Sequence, residues 1–362
     1  MRIAQIAPLV ESVPPKGYGG SEQVVSDLSE ELVKRGHQVT LFASEDSLTA
    51  GRLIACAPQG LRRAGIAPTR WSAYDLSALL KFESMVDQFE VVHNHMGYMA
   101  LPFLSRLRCA NVTTLHNPVK DYCRDIFLAF KQLPYVAISN TYRELNYAGE
   151  LNYVATVYNG ISLSGMSTKD TPRSFLLFMG RICSDKGTRE AISIAQSLEL
   201  PIVIAGKVDS ADRDYFDKFI RPFLSTRGVT FLGEVNNEEK WRLYGSAIAT
   251  LCPLAFDEPF GLVMAESLAA GTPVIALRRG AVSEIVVDKE TGIVGSTVDE
   301  LISRFGELRS ISPDQCRLRA ASLFSKERMA MHYEEVYKRL LDLSHPHHYA
   351  HRHMFDLRRV EK

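Results

Sequence analysis

Residues 2–43 read RIAQIAPLVESVPPKGYGGSEQVVSDLSEELVKRGHQVTLFA, and the layout of the chain can be built outward from them. Arg2 to Ala7 is short, apolar and β-prone, and Pro8 closes it. A loop carrying Gly17, Gly19 and Gly20 follows. Ser21 is placed to N-cap a helix from Glu22 to about Lys34, in which Val24, Val25, Leu28, Leu32 and Val33 recur on a helical period. Gly36 stops that helix, and Val39 to Ala43 supplies the next strand. A strand–helix–strand unit with buried apolar strands belongs in a parallel sheet.

The same alternation continues through Val91 to His93, Val112 to His116 and Tyr135 to Ser139, each a short apolar strand ending in polar residues. Residues 161–174 gather Ser, Thr, Gly, Lys, Asp and Pro without apolar periodicity, the composition of a linker. A second series starts at Phe175 to Met179. It continues with a helix from about Thr188 to Leu198, strands Ile202 to Ala205 and Val229 to Leu232, a helix near Glu238 to Tyr244, and the strand Ile248 to Cys252. Gly261 opens a helix reaching Ala270, Gly271 stops it, and Pro273 to Ala276 forms a further strand. The expected class is α/β with two domains, 1–165 and 166–330, which suits a chain of 362 residues. Residues 331–362 complete a last strong helix, Lys326 to about Leu343, and a His-rich tail from His345 to His353.

Composition narrows the function classes. Hydrophobic residues make up 46% and charged residues 23%, as in a soluble globular protein. Lys plus Arg equals Asp plus Glu at 42 each, so no global field favours nucleic acid or an anionic membrane. Arg62, Arg63 and Arg70 cluster locally and read as a solvated surface. The six cysteines are scattered without a C-x-x-C pair, so neither a zinc site nor a redox motif is expected, and Cys252, inside an apolar run, reads as a small hydrophobe. No apolar run approaches the ~18 residues of a membrane span. A reducing cytoplasm is the expected setting, with any membrane association peripheral to its inner face.

Two segments carry chemistry. In Asp257-Glu258-Pro259-Phe260-Gly261-Leu262-Val263-Met264-Ala265-Glu266, Glu258 precedes a helix and Glu266 lies inside it. The amides of Phe260, Gly261 and Leu262 have no partner within that helix, and the positive end of its dipole favours an anion. Carboxylates before and behind such a site suit a ligand with hydroxyls flanking phosphate. The plainer alternative is one Glu stabilising the dipole and a second facing water. In Gly180-Arg181-Ile182-Cys183-Ser184-Asp185-Lys186-Gly187, two cations follow the first strand of the second domain and suit a diphosphate, or else form a solvated, capped turn. Ligands of open α/β sheets bind outside the carboxyl ends of strands, where both segments point.

G-R-x-x-x-x-K-G followed by E-P-F-G-L-V-x-x-E-x-L-A-x-G-T-P-V resembles the second domain of the retaining glycosyltransferases of family 4 (group 1). Those enzymes have the GT-B fold, two Rossmann-like domains with parallel sheets facing across a cleft. The resemblance covers nearly the whole chain and is weakest across residues 46–90. It implies that Arg181 and Lys186, after Gly180, hold the donor diphosphate. Glu258 would contact the transferred sugar with the amides of Phe260, Gly261 and Leu262, and Glu266 would bind the ribose. Gly233 and Glu234 would lie beside the nucleotide base, and Glu284 would help close the site. Gly19 and Gly20 match the glycine loop over the diphosphate, although the G-x-G-x-x-G of a dinucleotide site is absent. His116 matches a strand-end histidine near the donor sugar. His93 and His95 share a strand face and could pair on a metal by spacing, but they read as structure or as acceptor-side lining, because no matching carboxylate is evident.

The implied activity is metal- and cofactor-independent transfer of a hexose-type sugar. The reaction would be front-face and retaining, because no residue stands out as a nucleophile beneath the anomeric carbon. UDP-glucose or UDP-N-acetylglucosamine is the favoured donor and GDP-mannose stays open. The first domain would bind the acceptor, whose identity the sequence does not give, and the last helix would return to that domain. Oligomeric state is not readable. A sugar-nucleotide epimerase, a binding protein without catalysis and a pyridoxal-dependent phosphorylase are the rivals. The first two would share the fold, and the last lacks a marked Schiff-base lysine.

Overall fold

The computed structural model describes residues 1–163 and 172–344; the His-rich tail and part of the linker lie outside the described residues. Seven strands form the first sheet: β1 (Arg2–Ile6), β2 (Gln38–Ser44), β3 (Arg52–Ala57), β4 (Val91–Asn94), β5 (Ala110–Leu115), β6 (Tyr135–Ala137) and β7 (Tyr153–Thr156). Six form the second: β8 (Phe175–Met179), β9 (Ile202–Ala205), β10 (Val229–Gly233), β11 (Ala247–Cys252), β12 (Val274–Leu277) and β13 (Gly292–Gly295). The orders are β3-β2-β1-β4-β5-β6-β7 and β10-β9-β8-β11-β12-β13, and the strands pair in parallel. In each sheet the first strand of its series is central and the order reverses beside it, so a crevice opens at the carboxyl ends there.

Three strands have no counterpart among the expected elements: β3, β7 and β13. All three are edge strands. An edge strand pairs on one side only, and these three are short or partly exposed, so they carry weak apolar patterns. The first long helix also differs from expectation. It runs Gly20–Lys34 with Gly19 as its cap and no side-chain cap hydrogen bond, so Ser21 is inside the helix and does not cap it. Space accounts for Gly19, where a Cβ would lie 2.7 Å from Pro15 Cβ; a Cβ on Gly20 would meet Leu262 of the second domain at an ordinary contact distance of 3.5 Å.

The last described helix, Lys326–Ser344, comes after the second domain in sequence but packs on the first. Its Met329, Ala330, Tyr333, Val336 and Tyr337 bury against Ile3, Val24, Leu28, Val91 and Val112. Glu334 on this helix accepts two hydrogen bonds from Arg35, at 2.8 and 2.9 Å, and lies 2.7 Å from His37 Nε2. Returning to the first domain, the chain passes the outgoing crossover, and Ile161 and Ser325 form a parallel bridge.

Candidate active site

A cleft of about 800 Å³ lies between the two sheets, lined from both domains. On the second-domain wall, β8 delivers Gly180, Arg181 and Lys186, and the loop after β11 delivers Phe256, Glu258 and Gly261. The two loops are joined: the Ala255 N–H donates to Asp185 O at 2.8 Å. Lys186 Nζ pairs with the Glu258 carboxylate and lies 4.7 Å from the centre of the Phe256 ring. Burial pulls the Lys186 pKa down, but the Glu258 charge overcomes it and holds the ammonium above the ordinary lysine value. Arg181 is looser, with Nε 3.6 Å from Asp212 Oδ2 and its side chain 35% exposed. A guanidinium so placed is open to a further anionic partner.

The helix Leu262–Ala269 starts at this wall. Gly261 caps it at φ 95°, a left-handed conformation that favours glycine, and a side chain there would strike Met264. The N–H groups of Gly261, Leu262 and Val263 donate to no protein acceptor among the described residues. Two cations and a helix N-terminus therefore converge, the arrangement that binds phosphate.

On the first-domain wall, Gly19 and Gly20 border the cleft and His116 follows directly on the end of β5 at Leu115. His116 Nε2 lies 2.8 Å from His95 Nδ1, and His95 Nε2 lies 2.8 Å from Gln5 Oε1. Burial lowers the His116 pKa to about 4, and burial holds His93 and His95 well below the usual range, so all three rings are neutral. Glu11, Glu22 and Asp75 line the same side. Burial raises Glu22 to about 7 and Asp75 to about 6, and burial raises Glu11 despite Arg62 at 2.5 Å. Arg62 is thus a cleft residue paired with Glu11, and only Arg63 and Arg70 of that basic cluster are exposed. Cys252 is buried as expected, at the cleft edge, where burial pushes its thiol up to about 12.

Four of the anticipated residues stand apart from the cleft lining. Glu266 sits behind the helix start, accepting from Lys240 Nζ at 2.6 Å and Tyr244 OH at 3.0 Å. Gly233 ends β10, and Glu234 reaches across to accept from the Tyr18 N–H at 3.1 Å. Glu284 also bridges domains, accepting from the N–H groups of Asn140 and Thr141 at 2.8 and 2.7 Å and from Tyr158 OH at 2.9 Å. Ser139 Oγ donates to Pro259 O at 2.7 Å beside it.

Sequence reasoning passed over Asn159, whose buried Oδ1 has no partner among the described residues and which lines the cleft. It also passed over Glu11, Glu22, Asp75, Lys240 and Tyr244. Only the position of Asn159-Gly160 just before the linker offered a signal for any of them.

Comparison with known proteins fits this geometry. Residues 18–164 match the family model described as Glycosyltransferase Family 4, and residues 164–308 match that of Glycosyl transferases group 1. The chain belongs to the group 1 glycosyltransferases. An uncharacterized glycosyltransferase of Methanocaldococcus jannaschii is 25% identical, across 94% of this chain and 99% of that protein. Among solved structures, sucrose-phosphate synthase of Thermosynechococcus elongatus superposes with a TM-score of 0.81 at 18% identity, covering 94% of this chain and 99% of that one. Anabaena HepE in complex with UDP-glucose gives 0.71 at 16% identity, covering 94% and 100%. The glycosyltransferase therefore has the GT-B fold, two parallel-sheet domains about a cleft. Among the described residues no helix is long and apolar enough to cross a membrane.

Proposed function

We propose that this glycosyltransferase is a retaining enzyme that moves a hexose-type sugar from a uridine diphosphate sugar to an acceptor hydroxyl. The observation that carries the reading is the convergence of Arg181, Lys186 and the free amides of Gly261 to Val263 on one wall, opposite Gly19, Gly20 and His116. The diphosphate lies against those cations and amides, which stabilise charge as the bond from anomeric carbon to phosphate oxygen breaks. Glu258, oriented by Lys186, accepts from hydroxyls of the sugar, and His116 faces the same ring. The acceptor oxygen bonds to the anomeric carbon on the face the diphosphate leaves, and its proton passes to the departing phosphate oxygen. Glu266, oriented by Lys240 and Tyr244, takes the ribose hydroxyls. Residues 1–165 serve the acceptor, and 166–330 the donor. Uridine is favoured because HepE, a structural neighbour, holds UDP-glucose; guanosine diphosphate mannose is the competing donor.

Thermal unfolding of the wild type and Glu266→Ala with uridine, guanosine and adenosine diphosphates and their sugars tests this without an acceptor. A ligand at about a hundred times its Kd stabilises the native state by about 2.7 kcal/mol, a shift of a few degrees. A shift with uridine nucleotides alone, lost in Glu266→Ala, is expected. A shift only with guanosine nucleotides moves the donor to GDP-mannose, and none with any nucleotide removes the transferase reading.

A further inference from the structure

Behind the first-domain wall, a chain of buried polar groups runs from the cleft to the helix Lys326–Ser344. His116 Nε2 meets His95 Nδ1 at 2.8 Å, His95 Nε2 meets Gln5 Oε1 at 2.8 Å, and Gln5 Nε2 donates to Tyr337 OH at 3.2 Å. Tyr337 OH lies 2.7 Å from His93 Nδ1, His93 Nε2 lies 2.7 Å from Thr114 Oγ1, and Thr114 Oγ1 lies 2.9 Å from Tyr333 OH. His93, His95, Gln5, Thr114, Tyr333 and Tyr337 are all buried.

The protons in such a chain are not independent. A neutral imidazole has one donor and one acceptor nitrogen, so a partner at one fixes the role of the other. Gln5 Oε1 only accepts, hence His95 Nε2 carries the proton and His95 Nδ1 is bare. His95 Nδ1 must then accept from His116, which places the His116 proton on Nε2 and leaves Nδ1 as an acceptor. At the other end, Tyr337 OH receives the Gln5 amide and donates to His93 Nδ1, so His93 Nε2–H donates to Thr114. Every group is satisfied in one sense of direction. Turning the Gln5 amide over would reverse the whole chain and move the His116 proton to Nδ1.

We propose that His95, Gln5 and Tyr337 are positioning residues that hold His116 as its Nε2–H tautomer, so that its bare Nδ1 accepts from a hydroxyl of the transferred sugar. The inference rests on the reading of His116 as a donor-sugar contact. It gives the C-terminal helix a part in the donor site, at a distance, through Tyr337. A hydroxyl donating to a bare nitrogen is oriented as well as bound, whereas the opposite tautomer would present a hydrogen to it.

The test uses the full chain with 15N-labelled histidine. Two-bond 15N–1H correlations read the tautomer of each ring, with His116 assigned by its loss in His116→Asn. The wild type is expected to show a single Nε2–H form. His95→Leu is expected to show a mixture, with turnover down about tenfold, the low end for losing a ring-orienting partner, and nucleotide affinity within about twofold of wild type. His95→Asn, whose Oδ1 replaces the Nδ1 acceptor, is expected to restore most of both. Tyr337→Phe, which removes only a distant hydroxyl, is expected to lower turnover about threefold in the same sense. An Nδ1–H or averaged His116 in the wild type overturns the proposal. So does near-normal turnover in His95→Leu or Tyr337→Phe once the tautomer has changed. If no nucleotide binds the wild type, the donor reading falls, and the wild-type tautomer still decides the network separately.

Discussion

The two walls of the cleft handle their charges in opposite ways. The second-domain wall pairs its ions, Lys186 with Glu258 and Arg181 loosely with Asp212, and Lys240 pairs with Glu266 behind it. Apart from the Arg62–Glu11 pair, the first-domain wall removes charge by burial. His93, His95 and His116 are held neutral, and Glu22 and Asp75 are pushed toward their protonated forms. Paired ions are preorganised for an anionic ligand such as a diphosphate. Neutral, hydrogen-bonding groups suit hydroxyls. The difference fits a site whose two sides meet the charged and uncharged halves of one donor, and it is open to attack by experiment.

The largest effect belongs to the charged wall. Arg181→Ala or Lys186→Ala should lower turnover by about a hundredfold or more, the scale of removing one preorganised charge stabiliser. Lys186→Ala also leaves Glu258 without its cation, so its melting temperature should fall. In the pair Lys186→Met with Glu258→Gln that loss should be recovered while turnover stays low. If the double variant regains turnover, Lys186 serves the fold and not the reaction.

The next effect tests burial on the other wall. Glu22 has a folded pKa raised from 4.5 to about 7, by burial. Such a group costs nothing below the unfolded pKa, where both states are protonated. Its destabilisation grows as pH rises from 4.5 toward 7 and is fully present above. Glu22→Gln should therefore match the wild type near pH 4.5 and exceed its stability at pH 8 by up to about 3 kcal/mol, read as a difference in melting temperature. Equal stability at both pH values would mean that Glu22 is ionised and partnered in the native state, which breaks the contrast between the walls.

The smallest effect is a control on location. Arg242 pairs with Glu239 at 3.3 Å on an exposed face of the helix that carries Lys240. Exposed pairs contribute little, so Arg242→Ala should change stability by less than about 0.5 kcal/mol and leave turnover unchanged. A large loss there would show that the charge of the second domain as a whole matters, and not the ions at the cleft.

How far the sequence could be read follows from how local each feature is. The central strands β1, β2, β4, β5, β8, β9 and β11 were legible because strands buried on both faces must be apolar along their length. The edge strands β3, β7 and β13 were not, being short or partly exposed, whereas β10, also at an edge, was legible from its run Val229 to Leu232. On the second-domain wall, Arg181, Lys186, Glu258 and Gly261 lie in two short segments at strand ends, where residue type and spacing already state the chemistry. Glu11, Glu22, Asp75 and Arg62 gave no such signal. Their burial comes from chain brought over them from elsewhere, as Arg62 is brought to Glu11 across 51 positions.

The sequence by itself determined two parallel α/β domains and an anion-binding loop pair, because apolar periodicity and helix-start chemistry act over a few residues. The resemblance implied a last helix returning to the first domain, but only the tertiary structure decided which residues its Glu334 and Tyr337 meet there. It alone joined His116 to Tyr337 and set Glu284 against the helix start at Asn140. Those contacts join residues from 21 to 332 positions apart. A hydrogen bond needs its partner within about 3 Å, and nothing in either local stretch encodes which distant residue the packed core will deliver there.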